Sequence, residues 1–113
     1  MKIKNDKPVI IGALSQEEIN SLKAKYPQGV FAIEVIDDEG KTHITYVKKP
    51  DIEALQVASK YAQTDPVKSG LLMFNTCRLG GSDFIVNDDE SKLGVIAELG
   101  KLFKAKEATV KKL

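Results

Sequence analysis

Asp65-Pro66-Val67-Lys68-Ser69-Gly70-Leu71-Leu72-Met73-Phe74-Asn75-Thr76-Cys77-Arg78-Leu79-Gly80-Gly81 carries a helix start, a helix stop and little polar surface between them. Asp65 can cap the free amides of a first turn, and Pro66 suits the first helical position. Gly80 and Gly81 supply a left-handed residue that ends a helix. The reading is a helix packed on several sides, with Val67, Gly70, Leu71 and Phe74 on one face and Cys77 beside that stripe. It makes this stretch a structural centre.

Upstream, Pro50-Asp51 opens a helix over about 51–63. Ile52, Leu55, Ala58, Ser59 and Ala62 trace one side at helical spacing. Before it, Val30–Ile36 and Thr42–Val47 read as the two arms of a hairpin, rich in β-branched and aromatic residues. Asp37-Asp38-Glu39-Gly40-Lys41 forms the turn, with Gly40 able to take positive φ. Phe31, Ile33 and Val35 share a face, which Ile44 and Tyr46 join if the register of the arms allows it. Ser15 and Glu18 have capping-box spacing, and Leu14 and Ile19 have staple spacing, ahead of a helix that Pro27 and Gly29 end. Val9-Ile10-Ile11 reads as a short edge strand, and residues 1–8 as a flexible arm.

Downstream, Phe84-Ile85-Val86 reads as a short strand or loop anchor. Asn87-Asp88-Asp89-Glu90 opens a last helix, because carboxylates favour the positive end of the helix dipole. That helix is expected to run to about Lys112, with Leu93, Ile96, Leu99, Gly100 and Phe103 on one side. The order predicts one α+β domain over 9–113, a β-hairpin packed against three or four helices.

The chain has 113 residues, 42% hydrophobic and 29% charged, with a formal net charge of +1. That balance gives no electrostatic footprint for nucleic acid. One cysteine forbids an intrachain disulfide, and one Cys with one His is poor material for zinc. No apolar run reaches the length of a membrane span, and no signal peptide is expected from the opening residues. The expected location is the cytoplasm, with no cofactor and no metal.

Reactive chemistry is sparse. His43 has no carboxylate or thiol placed beside it by local spacing, and reads as a cross-strand or surface histidine. Cys77 stands at a helix carboxyl end, whose dipole disfavours a thiolate, and reads as a packed thiol. Gly80-Gly81 lacks the Lys-Ser or Lys-Thr of a phosphate loop. The runs Asp37-Asp38-Glu39 and Asp83, Asp88, Asp89 lack the alternating ligands of an EF-hand and read as turn and cap residues. Lys101, Lys104, Lys106, Lys111 and Lys112 form a basic face on the last helix. Phe103, Lys104, Val110, Lys111 and Leu113 are the candidate protein contacts.

Tyr46-Val47-Lys48-Lys49-Pro50-Asp51, Asp65-Pro66-Val67-Lys68 and Asn75-Thr76-Cys77-Arg78-Leu79-Gly80-Gly81 together resemble small proteins from tail-gene regions of bacteriophages and prophages, of the tail assembly chaperone class. The resemblance spans about residues 44–113 and includes the Asp88-Asp89-Glu90 helix start. It implies a non-catalytic chaperone or adaptor that binds tape-measure and tail-tube proteins in the host cytoplasm, and it brings no catalytic residues. Any uncovered hairpin edge is a further expected contact surface, because an unpaired strand invites pairing with another chain, and a homo-oligomer is an expectation on the same ground. A structural virion subunit, or a small nucleic-acid-binding module using the terminal lysines, are the alternatives.

Overall fold

Thr42–Lys48 forms the strand on which the domain is organised (β3). Its central residues, His43 to Val47, are all buried. A computed structural model describes residues 9–113; the amino-terminal arm expected over 1–8 lies outside the described residues. Val30–Ile36 (β2) pairs antiparallel along the whole of one edge of β3. Two short strands share the other edge. Ile10–Ile11 (β1) runs parallel to Thr42–His43, and Arg78–Gly81 (β4) runs antiparallel to Thr45–Val47. The helices are α1 (Gln16–Lys25), α2 (Ile52–Ser59), α3 (Pro66–Cys77), α4 (Asp83–Asn87) and α5 (Asp89–Gly100). The result is a small α+β domain, a mixed four-stranded sheet with five helices among the described residues.

Local chemistry starts the elements where the residues predict. Ser15 Oγ accepts the Glu18 N–H and the Glu18 carboxylate accepts the Ser15 N–H, a complete capping box. Asp51, Asp65 and Asp88 cap α2, α3 and α5 through the N–H groups of Ala54, Lys68 and Ser91. The hairpin turn is Asp37–Lys41, with Gly40 at φ +81°.

Tertiary contacts decide where elements end, and here several expectations are corrected. The second helix stops at Ser59 rather than 63. Ser69 Oγ of α3 donates to the Ala58 carbonyl at 2.7 Å, and tight i→i+3 turns at Tyr61 and Ala62 replace the ladder. Helix α3 does not end on a left-handed glycine. Arg78 is already extended, and the chain passes directly into β4, where β3 satisfies its backbone. Only the second half of α3 is well covered: Val67 is 59% exposed, while Phe74 and Cys77 are buried. Phe84-Ile85-Val86 lies in the one-turn helix α4, with Ile85 as its buried anchor. Helix α5 ends at Gly100, well short of Lys112. Its buried face is Ser91, Val95 and Leu99, and Leu93 is exposed. Beyond Phe103 no apolar stripe continues, so nothing repays the ordering of further turns.

The hairpin register decides which residues share a face. Phe31 sits opposite Val47, Ile33 opposite Thr45 and Val35 opposite His43, so these six share one side. Ile44 and Tyr46 point to the other side. Helices α2, α3, α4 and α5 cover the first side, in one cluster of Val47, Ala54, Cys77 and Leu99 and another of Phe74, Ile85 and Val95. On the opposite side the Leu14 N–H donates to the Tyr46 hydroxyl at 3.2 Å.

Where β1 and β4 meet beside β3, the backbone is tightest. Gly81 has φ +122°, and a Cβ there would collide with the Ile44 carbonyl oxygen. Gly94, in α5, faces open space. Gly81→Ala is therefore expected to destabilise the domain by about 2 kcal/mol or more. Gly94→Ala is expected to stabilise it by about 0.5–1 kcal/mol. Urea unfolding of the two variants beside the parent checks both signs.

Candidate functional site

The residues that converge are Asp37, His43 and Ser82. Asp37 leaves the end of β2. Its Oδ1 accepts the N–H groups of Glu39 and Lys41, both at 2.9 Å, which closes the hairpin turn. Its Oδ2 lies 2.8 Å from His43 Nε2. His43, the second residue of β3, turns its Nδ1 to Ser82 Oγ at 2.8 Å. Ser82 follows β4 and caps α4, its Oγ accepting the Phe84 N–H at 3.2 Å. The Phe84 ring stacks on the imidazole at 4.4 Å. The Ser82 N–H donates to Ile44 O, which extends β4 to this point.

The hydrogen bonds assign the protons. A carboxylate only accepts, so His43 Nε2 carries a hydrogen directed at Asp37. With a neutral ring, Nδ1 accepts from the Ser82 hydroxyl. The order Asp–His–Ser matches that of a serine hydrolase, but the environment differs. Such a serine needs an open approach for an acyl carbon and N–H donors facing the resulting oxyanion. Ser82 is 4% exposed and His43 5%. The Ser82 oxygen is committed to Phe84 N–H, and the ring face is covered by Phe84. The arrangement acts as a clasp holding the hairpin turn, β3 and the β4–α4 junction together.

The hydrogen bond from His43, with those from Lys41 and Glu39, holds the Asp37 carboxyl below the usual carboxylate range. Beside the clasp is an open cleft of about 440 Å³, lined by Val35, Asp37, Asp38, Phe84, Asp88 and Glu90 among others. The structure thus brings parts of the two acidic runs to one cleft. Asp37 is held by the turn and His43, and Asp88 by Ser91, whose amide and hydroxyl both donate to it. Among the described residues no group of three or more His, Cys, Asp or Glu side chains is placed to hold a metal ion. No helix among them is long and apolar enough to cross a membrane.

Cys77 is fully buried beside Met73, with 3.8 Å between the sulfurs, and burial pushes its thiol up. The candidate contact residues do not lie on a helix. Phe103 is half-buried and lines a cleft with Pro50 and Ile52. Lys104, Val110, Lys111 and Leu113 are exposed in an irregular segment. Sequence reading missed the partnership of His43 with Asp37 and Ser82. The hairpin register carried half of the signal: His43 faces Val35, which places Asp37 diagonally on the same face. Ser82 is 39 residues away and left no local trace.

No family model and no curated protein matches the chain. Among solved structures, it is similar to an uncharacterised protein, rbstp2171, from Bacillus stearothermophilus, at 18% identity and a TM-score of 0.59. The match covers 83% of this chain and 99% of that one, and at this identity it shows a shared fold alone.

Ser82→Ala removes both a helix cap and the histidine's partner, and is expected to cost about 1–3 kcal/mol by urea unfolding. Asp37 sets an acid limit. Its folded-state pKa is depressed, so its contribution is complete above the unfolded value near 3.8 and disappears as pH falls through the folded one. Asp37→Asn is expected to be less stable at neutral pH and to flatten the loss of stability below that value, read from unfolding midpoints across the acid range.

Proposed function

We propose that the chain is a non-catalytic assembly chaperone or adaptor of the phage tail class, working by surface contact with tape-measure and tail-tube proteins in the host cytoplasm. The observation that supports it most directly is the segment after α5. Lys104 to Leu113 is exposed and without regular structure, and it carries Val110 at 98% exposure and a fully exposed Leu113 among lysines. Apolar side chains that find no cover on their own domain suit a partner's groove, and the lysines suit an acidic rim around it. The motifs over 44–113 support the particular class. The engagement of His43, Ser82 and Cys77 in packing and capping agrees with a protein whose work is contact.

The test is capture of the tape-measure and tail-tube proteins of the same phage by the folded chain at physiological salt. Binding of at least one is expected. The double substitution Val110→Asp with Leu113→Asp is expected to weaken that binding by about tenfold or more, as for buried anchors. Lys104→Glu with Lys111→Glu is expected to slow association and reduce its salt dependence. Failure to bind either protein overturns the reading, as does ester or amide hydrolysis that Ser82→Ala abolishes.

A further inference from the structure

The outer edge of β2 is a second surface, independent of the adaptor reading. Among the described residues β2 pairs only with β3, so one side of Val30-Phe31-Ala32-Ile33-Glu34-Val35-Ile36 has no strand beside it. It is seven residues long, regular, and has Glu34 as its one charge. Natural edges are usually shortened, bulged or given several charges, because an open ladder invites another strand. This edge has none of those protections apart from Glu34.

The ladder shows which groups are free. Lys49 N–H donates to Gly29 O at 3.1 Å, and Asp37 N–H to Lys41 O at 2.9 Å. Positions 29 and 37 thus turn their backbone toward β3. Strand alternation, with no register shift between β2 and β3, assigns the same direction to Phe31, Ile33 and Val35. The N–H and C=O groups of Val30, Ala32, Glu34 and Ile36 therefore point outward.

We infer that a second copy of this chain pairs antiparallel with this edge, about a two-fold axis at Ile33, to make one continuous sheet. The sequence of β2 is self-complementary about that residue. Val30 meets Ile36 of the other copy and Ala32 meets Glu34, so the outward-facing backbone groups pair with each other. On the helical face Phe31 meets Val35, an aromatic and β-branched pair. No charge opposes a like charge. An axis at Glu34 would set the two carboxylates against each other, and an axis at Ala32 would leave Ile36 without a partner in β2. The pairing also covers apolar surface that the monomer leaves open: Phe31 is 37% exposed and Ile36 69%. Beside Phe31, an open cleft of about 420 Å³ reaching Glu98, Lys101 and Leu102 of the α5 end leaves room for the second copy's side chains. Isologous contact of this kind is the commonest closed symmetry.

The test is the mass of the full chain in solution by sedimentation equilibrium, for the parent and three variants at Ala32, with circular dichroism of each to confirm folding. The parent is expected at twice its 12.4 kDa chain mass, dissociating on dilution. Ala32→Pro removes an outward N–H that β3 does not use, so it is expected to yield a folded monomer. Ala32→Glu sets a carboxylate opposite Glu34 twice per dimer and is expected to weaken association about tenfold or more, while Ala32→Lys creates two opposite-charge pairs and is expected to tighten it. A parent that stays monomeric into the millimolar range overturns the inference. So does a dimer that Ala32→Pro leaves intact, or one that Ala32→Lys and Ala32→Glu weaken alike, since the latter places Ala32 on the axis. Loss of dimerisation with tape-measure binding retained would separate this surface from the adaptor segment.

Discussion

A strand buried on both faces constrains everything around it. Every backbone amide and carbonyl of β3 needs a partner, because water cannot reach it. One edge is served by β2 along its full length. The other is served in two pieces, β1 and β4, and the junction between them is where Gly12 and Gly81 take positive φ. The helices can then pack on one face only because β4 delivers the chain from α3 to the sheet and on into α4 without a wide loop. If β3 were displaced by one residue, its side chains would exchange faces.

Since β3 is covered on both sides, burial alone discriminates weakly against that exchange. Its polar side chains discriminate more strongly. Thr45 Oγ1 donates to Gly80 O at 3.1 Å, the Tyr46 hydroxyl accepts from Leu14, and His43 lies between Asp37 and Ser82. A slipped strand would bury each of these groups without its partner. A satisfied hydrogen bond contributes only about 0.5–1.5 kcal/mol net, whereas an orphaned buried group costs about 1–3 kcal/mol. The polar set therefore contributes more to choosing the register than to total stability.

Local chemistry was legible in the residues. Ser15, Asp51, Asp65 and Asp88 announce helix starts because a cap acts over three residues, and Asp37–Lys41 announces a turn because Gly40 must reach positive φ. Endings were less legible. Arg78-Leu79-Gly80-Gly81 has the composition of a helix stop, and only its pairing with Thr45 to Val47 makes it a strand. Helix α2 ends early because of a hydroxyl on α3, and α5 because its apolar face has no continuation. The face that Ile44 and Tyr46 take was not legible, because alternation gives each arm its own two faces but not how the arms align. The clasp was half visible: Asp37 follows from the hairpin register, but Ser82 arrives through β4, the element composition concealed.

The clasp also shows why the order of side chains is a weaker guide to chemistry than their access. In a hydrolase the serine oxygen faces substrate and the histidine receives its proton as the new bond forms. Here the oxygen already accepts the Phe84 amide, so freeing it would uncap α4. The imidazole lies under the Phe84 ring, so exposing it would open the face that α4 covers. Both movements would dismantle the junction that holds β4 against β3. As placed, Asp37, His43 and Ser82 join the hairpin turn, β3 and the β4–α4 junction. Apolar groups stay open on the β2 edge and in the segment beyond α5, as they do at Ile52, Val67 and Leu93 on the helices.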